Sequence, residues 1–225
     1  MSISPPPTGL IDELERVNAE FESASPHEIL TWTFERFGDD VALACSFEDL
    51  ALVHMVHELR AATEIIFLDT RGHFDETLHF AERIERSWAL NVTRTSPGPE
   101  ANDWPCGTTR CCELRKVEPL GRALAGRAAW ITALKRVDAA TRAQMNILMW
   151  DEKFELVKVN PLATWSDDDV AYYLDAHQLE RHPLWADGYA SIGCAAVTVR
   201  PLVAGARRSG RWAGADKDEC GLHEA

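Results

Sequence analysis

Six cysteines, at positions 45, 106, 111, 112, 194 and 220, carry the most distinctive chemistry in this 225-residue sequence. Cys111 and Cys112 are adjacent and are followed by Arg115 and Lys116, a basic setting that favours thiolates, the form that binds metal or attacks electrophiles. Vicinal thiols do not match the spaced pairs that chelate a single zinc, and they suit an iron–sulfur cluster, whose irons are separate, better. The plain alternative is two small buried residues on a helix. Cys194 ends the turn Ser191-Ile192-Gly193-Cys194 and is a possible third ligand. Cys220 lies in Lys217-Asp218-Glu219-Cys220-Gly221-Leu222-His223, where a chain end is expected to be exposed and mobile. Such a thiol, with Lys217 and His223 close in sequence, can act as a nucleophile that moves between a closed site and an outside partner. An incidental surface cysteine is the competing reading. Cys45 reads as strand core and Cys106 as an ordinary loop thiol.

Basic residues gather around these thiols although the chain is acidic overall, with 36 Asp and Glu against 23 Lys and Arg and a formal charge of −13. That balance repels nucleic acid and anionic membrane surfaces, so neither is an expected partner. Arg115, Lys116, Lys135, Arg136, Arg208 and Arg211 fall beside the cysteine pair, at a strand end or in the last segment. In Arg208-Ser209-Gly210-Arg211-Trp212, two guanidinium forks flank a glycine that permits close approach, an arrangement suited to phosphate-like oxygens. No stretch of about 18 apolar residues and no signal-like amino end is present, so the chain reads as cytosolic, where thiols stay reduced.

The elements that must position these groups follow from hydrophobic periodicity. Leu10, Leu14, Val17 and Phe21, then Ile29, Leu30, Trp32 and Phe34, predict two helices ahead of the first strand, residues 41–46. A helix over 49–59, a strand over 64–69, a helix over 75–89 and a short strand over 90–93 follow. Residues 97–107 read as a loop, 111–124 as a helix, and 129–134 and 155–159 as strands. Ser166 caps a helix whose first turn, Asp167-Asp168-Asp169, suits the helix dipole. This alternation implies an α/β fold with a mainly parallel sheet, helices on both faces, and ligands beyond the carboxyl ends of the strands. Residues 1–186 read as the α/β domain and 187–225 as an appended, partly mobile carboxyl-terminal segment.

Taken together, Cys111-Cys112-Glu113-Leu114-Arg115-Lys116-Val117-Glu118-Pro119-Leu120, the runs 158–162 and 188–194, Arg208 to Trp212, and Glu219-Cys220-Gly221-Leu222-His223 resemble the assimilatory sulfonucleotide reductases, most closely the adenylyl-sulfate (APS) branch. The similarity runs in order from about Trp32 to His223. It implies an adenine-nucleotide α-hydrolase-like fold and thioredoxin-dependent reduction of APS to sulfite and AMP through an S-sulfocysteine on Cys220. It further implies His223 and Lys116 as catalytic partners and nucleotide contacts from Ser46, Phe47, Asp69, Thr70, Lys135, Arg136, Arg208 and Arg211. A [4Fe-4S] cluster on Cys111, Cys112 and Cys194 belongs to the same expectation.

The sequence departs from this pattern where the branch carries Cys-x-x-Cys. Here the run is Cys194-Ala195-Ala196-Val197, and valine cannot bind iron. The Ser46-Phe47-Glu48 loop is shortened, Arg71-Gly72 reverses the usual order, and Ala133-Leu134-Lys135-Arg136 replaces a Gly-Leu-Arg-Arg type segment. Three explanations remain open at the sequence level. The cluster persists with water, substrate or another residue on its fourth iron, Cys106 being the nearest spare thiol in sequence; or it is absent, as in the phosphoadenylyl (PAPS) branch; or compensating one-base changes replaced Ala-Pro-Cys codons. The cluster is the expectation carried forward. A redox-inactive nucleotide-binding relative and a zinc-stabilised binding module are the competing classes.

Overall fold

The computed structural model describes residues 5–203, 206–213, 217 and 219–222. Its elements run α1 (Leu10–Phe21), α2 (Pro26–Phe37), β1 (Val41–Cys45), α3 (Ala51–Leu59), β2 (Glu64–Leu68), α4 (Asp75–Trp88) and β3 (Val92–Thr95). They continue with α5 (Thr109–Cys112), α6 (Glu118–Leu124), β4 (Ala129–Ile131), β5 (Leu148–Asp151), β6 (Leu156–Val159), α7 (Asp167–Ala176) and α8 (Pro183–Ala186). Serine caps begin two of the helices. Ser25 and Glu28 close a capping box at α2, and Ser166 and Asp169 do the same at α7, each satisfying amide groups that the helix leaves open.

One sheet of order β3-β2-β1-β4-β6-β5 forms, with β5 alone antiparallel. Successive strand residues point to opposite faces, and this alternation builds two cores. Val41 and Leu43, Ile65 and Phe67, Ala129 and Ile131, and Val157 and Val159 enter the larger one, where α1, α2, α3, α4 and α7 contribute their apolar faces. Ala42, Ile66, Trp130 and Leu156 enter the other, which is covered by Leu120 and Leu124 of α6 together with Cys112, Trp212, Cys220 and Leu222. The carboxyl-terminal segment is therefore part of the cover of the second face, and Cys220, expected to be exposed, is only 9% exposed.

The helix predicted over 111–124 is continuous but widened. Glu113–Val117 forms a π-helical turn between α5 and α6, with the Glu118 N–H reaching back to the Glu113 carbonyl. Pro119 has no N–H to donate and its ring crowds the carbonyl four residues earlier, which favours this wider spacing. Other boundaries differ modestly from the sequence reading. The third strand is displaced to Val92–Thr95, and β4 ends at Ile131, so that Thr132 to Lys135 leave the sheet toward the ligand end. The antiparallel β5 was not foreseen; the return through 152–155 pairs Leu148 with Val159 and Asp151 with Leu156. Among the described residues no helix is long and apolar enough to cross a membrane.

Candidate active site

Because β1 connects to β2 on one side while β4 lies on its other side, a crevice opens beyond the carboxyl ends of β1 and β4. A cleft of about 210 Å³ occupies it. Cys45 ends β1 and Ser46 follows it, Leu68 ends β2 and Thr70 lies just beyond, and Thr132 to Lys135 follow β4; Lys116 enters from the π turn, and Ser191 to Cys194, Arg207, Arg208, Arg211, Trp212, Glu219, Cys220 and Leu222 close it from the carboxyl-terminal segment. Ser46, Thr70, Lys116, Lys135, Arg208, Arg211 and Cys220, named from sequence, thus converge.

Several of the cations are already neutralised. Lys135 Nζ lies 2.8 Å from Asp167 and 3.1 Å from Asp138, and Arg207 bridges Glu48 at 2.7 Å, Asp167 at 2.9 Å and Asp138 at 3.3 Å. Burial opposes the charge on Arg207, but Glu48, Asp167, Asp138 and Asp49 hold it more firmly protonated. Asp49 is shifted up by burial and by Glu48. Lys116 and Arg211 differ. Among the described residues neither is paired with a carboxylate; Arg211 donates to Ser191 Oγ and the Ile192 carbonyl, both at 3.2 Å, and its buried Nε has no partner. Burial pulls the Lys116 pKa down, yet the charges of Cys220, Cys194 and Cys112 outweigh it and leave it raised. Gly193 permits this arrangement, since a Cβ there would strike the Arg211 guanidinium.

Cys220 is held in the cleft by its neighbours. Glu219 takes Arg142 in a two-pronged pair at 2.8 and 2.7 Å, with Arg208 3.6 Å away, and the Gly221 carbonyl accepts from Lys153. Arg208, Arg211 and Lys217 all sit over the ring of buried Trp212, at 5.7, 4.8 and 5.7 Å. Arg142, Arg207 and Glu219 were not singled out as site residues in the sequence. The Arg207-Arg208 doublet was a usable signal; Arg142, in an alanine-rich loop, gave none.

Three expected contacts lie elsewhere. Phe47 adopts φ 55° and turns fully into the larger core, edge-on to Phe67 at 5.8 Å, so only its neighbours Ser46 and Glu48 face the cleft. Asp69 instead accepts from the Arg71 amide at 2.9 Å and does not line the cleft. Arg136 points outward, paired with Glu22 at 2.6 and 2.7 Å and donating to the Met145 carbonyl. His223 lies outside the described residues.

Beside the cleft, Cys106, Cys111, Cys112 and Cys194 line one small cavity with Val197, Arg115, Lys116 and Trp212. All four cysteines are free thiols. Arg115 pins the helix in place by donating to the Thr70 carbonyl at 2.7 Å and the Ala101 carbonyl at 3.0 Å. Ala195 N donates to the Gly72 carbonyl at 2.7 Å, bringing Cys194 within 3.6 Å of Thr70 Oγ1. Hydrogen bonding from Cys106, assisted by Lys116, lowers the Cys194 pKa against burial, and the same contact raises that of Cys106. Burial raises the Cys112 thiol despite Lys116 and Lys217, so the basic setting expected from sequence does not prevail there. Four soft sulfur donors with two adjacent cations match the donor chemistry of an iron–sulfur cluster. Cys45 lies outside this cavity, in the wall of the main cleft, and burial pushes its thiol up to about 12.

Residues 40–200 match the phosphoadenosine phosphosulfate reductase domain. The chain belongs to that family. Within it, an adenosine 5'-phosphosulfate reductase of Mycolicibacterium smegmatis is 41% identical over 218 residues, 93% of this chain and 92% of its own. One of Streptomyces coelicolor is 41% identical over 220 residues, with the same coverage. The fold is that of a phosphoadenylyl-sulfate reductase from Candida auris, at TM-score 0.74 and 24% identity over 88% of this chain and all of that one.

Proposed function

We propose that this reductase-family chain reduces adenylyl sulfate to sulfite and AMP for sulfur assimilation, with Cys220 as nucleophile and thioredoxin or a similar dithiol as reductant. One observation carries the reading: Cys220 lines a strand-end cleft together with Lys116 and Arg211, two cations with no carboxylate partner among the described residues, and its charge acts on Lys116. The relatives named adenosine 5'-phosphosulfate reductase give the substrate.

In the first step the Cys220 sulfur attacks the sulfuryl sulfur. A sulfur–sulfur bond forms, the bond to the phosphate oxygen breaks, and AMP leaves with that oxygen's electron pair. Charge grows on the departing phosphate and the sulfonyl oxygens, so Lys116, Arg208 and Arg211 lower the barrier by being in place before it develops. Ser46, Thr70 and Lys135, which line the cleft, serve as nucleotide contacts. His223 serves to position the terminal segment. In the second step one thiol of the reductant attacks Cys220 Sγ and expels sulfite; its second thiol resolves the mixed disulfide, returning Cys220 as a thiol and leaving the reductant oxidised by two electrons. Since Cys220 is buried here, this exchange needs the segment after Trp212 to lift away.

A four-iron cluster, with Cys111, Cys112 and Cys194 as ligands, would lock the cysteine-bearing segments together and add an electrostatic influence beside Lys116. The test is mass spectrometry of the protein after incubation with APS. The expected product is a sulfonate adduct on Cys220, absent from Cys220→Ser and discharged as sulfite by reduced thioredoxin. A chain that binds APS yet never gains the adduct overturns the reading, and an adduct formed only from PAPS moves the substrate to the 3'-phosphorylated nucleotide.

A further inference from the structure

Position 197 offers no thiol to a cluster, yet its surroundings do. Val197 is fixed by a short antiparallel pairing in which Trp212 N donates to the Val197 carbonyl at 2.8 Å and Val199 N donates to the Gly210 carbonyl at 2.9 Å. The loop that carries Cys106 packs directly against it, so that a Cβ on Gly107 would lie 2.8 Å from Val197 Cγ1. Gly107 adopts φ +93°, a conformation that favours glycine, and this turn directs Cys106 into the cavity lined by Cys111, Cys112 and Cys194. Lys217 ties the loop to the cysteine pair, its Nζ lying 3.1 Å from the Gly107 carbonyl and 3.2 Å from Cys112 Sγ.

We propose that Cys106 is the fourth thiolate ligand of the cluster, taking the role that a cysteine at position 197 would otherwise fill. This rests on the cluster reading given above and extends it to a residue outside the Cys-x-x-Cys pattern. Ligation is without redox change: the Cys106 thiol proton passes to solvent as its sulfur bonds to iron. The cavity measures about 10 Å³, so a cluster displaces its walls. Cys106 is the half-buried member of the four, on a loop, whereas Cys111, Cys112 and Cys194 are buried. Arg115 and Lys116 in the same cavity offset the negative charge of four thiolates.

The experiment compares the full chain, Cys106→Ala, Val197→Cys and Cys106→Ala/Val197→Cys, all prepared anaerobically. Iron and sulfide per chain, the visible absorption and the Mössbauer spectrum are read, with APS-dependent labelling of Cys220 recorded separately. Cys106→Ala is expected to lose half or more of its iron and sulfide, and the double variant to regain the wild-type content. A Cys106→Ala protein with unchanged content and Mössbauer spectrum overturns the assignment. So does a loss that Val197→Cys fails to restore, because Cys106 would then support the loop and not the iron. Wild-type protein that acquires the Cys220 adduct while holding no iron or sulfide overturns the underlying cluster reading and leaves the reductase reading standing.

Discussion

Arg142 and Glu219 form a buried two-pronged ion pair, Nε to Oε1 at 2.8 Å and Nη2 to Oε2 at 2.7 Å, one residue before Cys220. Both side chains are about nine-tenths buried, so the pair acts as a clasp across the cleft. Glu219→Gln keeps the shape and removes the charge. Alkylation of Cys220 by iodoacetamide, followed by mass spectrometry, should accelerate at least about tenfold, equivalent to ~1.4 kcal/mol of docking free energy. An unchanged alkylation rate would show that the clasp does not hold the segment.

Burial pulls the Lys116 pKa down, and the charge of Cys220 is the largest influence that raises it. Lys116→Met should slow adduct formation with APS by roughly 10²–10³-fold, the usual effect of removing one preorganised partner of developing charge. AMP affinity in a Cys220→Ser background should change far less, and a loss confined to affinity would reassign Lys116 to ground-state binding.

Arg136 and Arg211 make a paired test of the sequence reading. Arg136 is turned outward onto Glu22, so Arg136→Ala is expected to leave KM for APS within about twofold, in keeping with the small worth of exposed ion pairs. Arg211→Ala should raise KM or lower kcat by tenfold or more, since charge-assisted hydrogen bonds to an anion are lost. Equal effects of the two would place Arg136 in the cleft.

His182 makes stability pH-dependent. Its Nδ1 accepts from the Leu184 N–H at 3.2 Å, which leaves Nε2 to donate to Thr77 Oγ1 at 3.0 Å and fixes the neutral ring. Burial brings its pKa down to about 4. The unfolded histidine, near pH 6.5, takes up protons that the folded one refuses. Its contribution is therefore intact above about pH 6.5 and is lost as the pH falls toward 4. Urea unfolding at pH 7 and pH 4.5 should show a stability difference smaller by about 2–3 kcal/mol in His182→Gln than in the wild type. Identical pH dependence in the two proteins would exclude His182 as a contributor.

The sequence alone determined the strand–helix alternation, the Ser166 cap, the adjacency of Cys111-Cys112 with Lys116, and the terminal motif around Cys220, because periodicity and local motifs are short-range properties. Tertiary structure decided what those residues meet. The left-handed backbone at Phe47, just past the end of β1, sent its ring to the core and left Ser46 at the cleft, although both lie in one turn. Arg142 and Arg207 entered while Arg136 stayed outside, a choice made by which carboxylates each can reach after folding. Cys220 is buried because the second face of the sheet, once α6 has covered part of it, still presents Trp130 and Ile66, and the carboxyl-terminal segment covers the rest. Cys106 met the other thiols for a similar reason: its loop packs on Val197, nearly a hundred residues away in sequence, and no local pattern could have announced that contact.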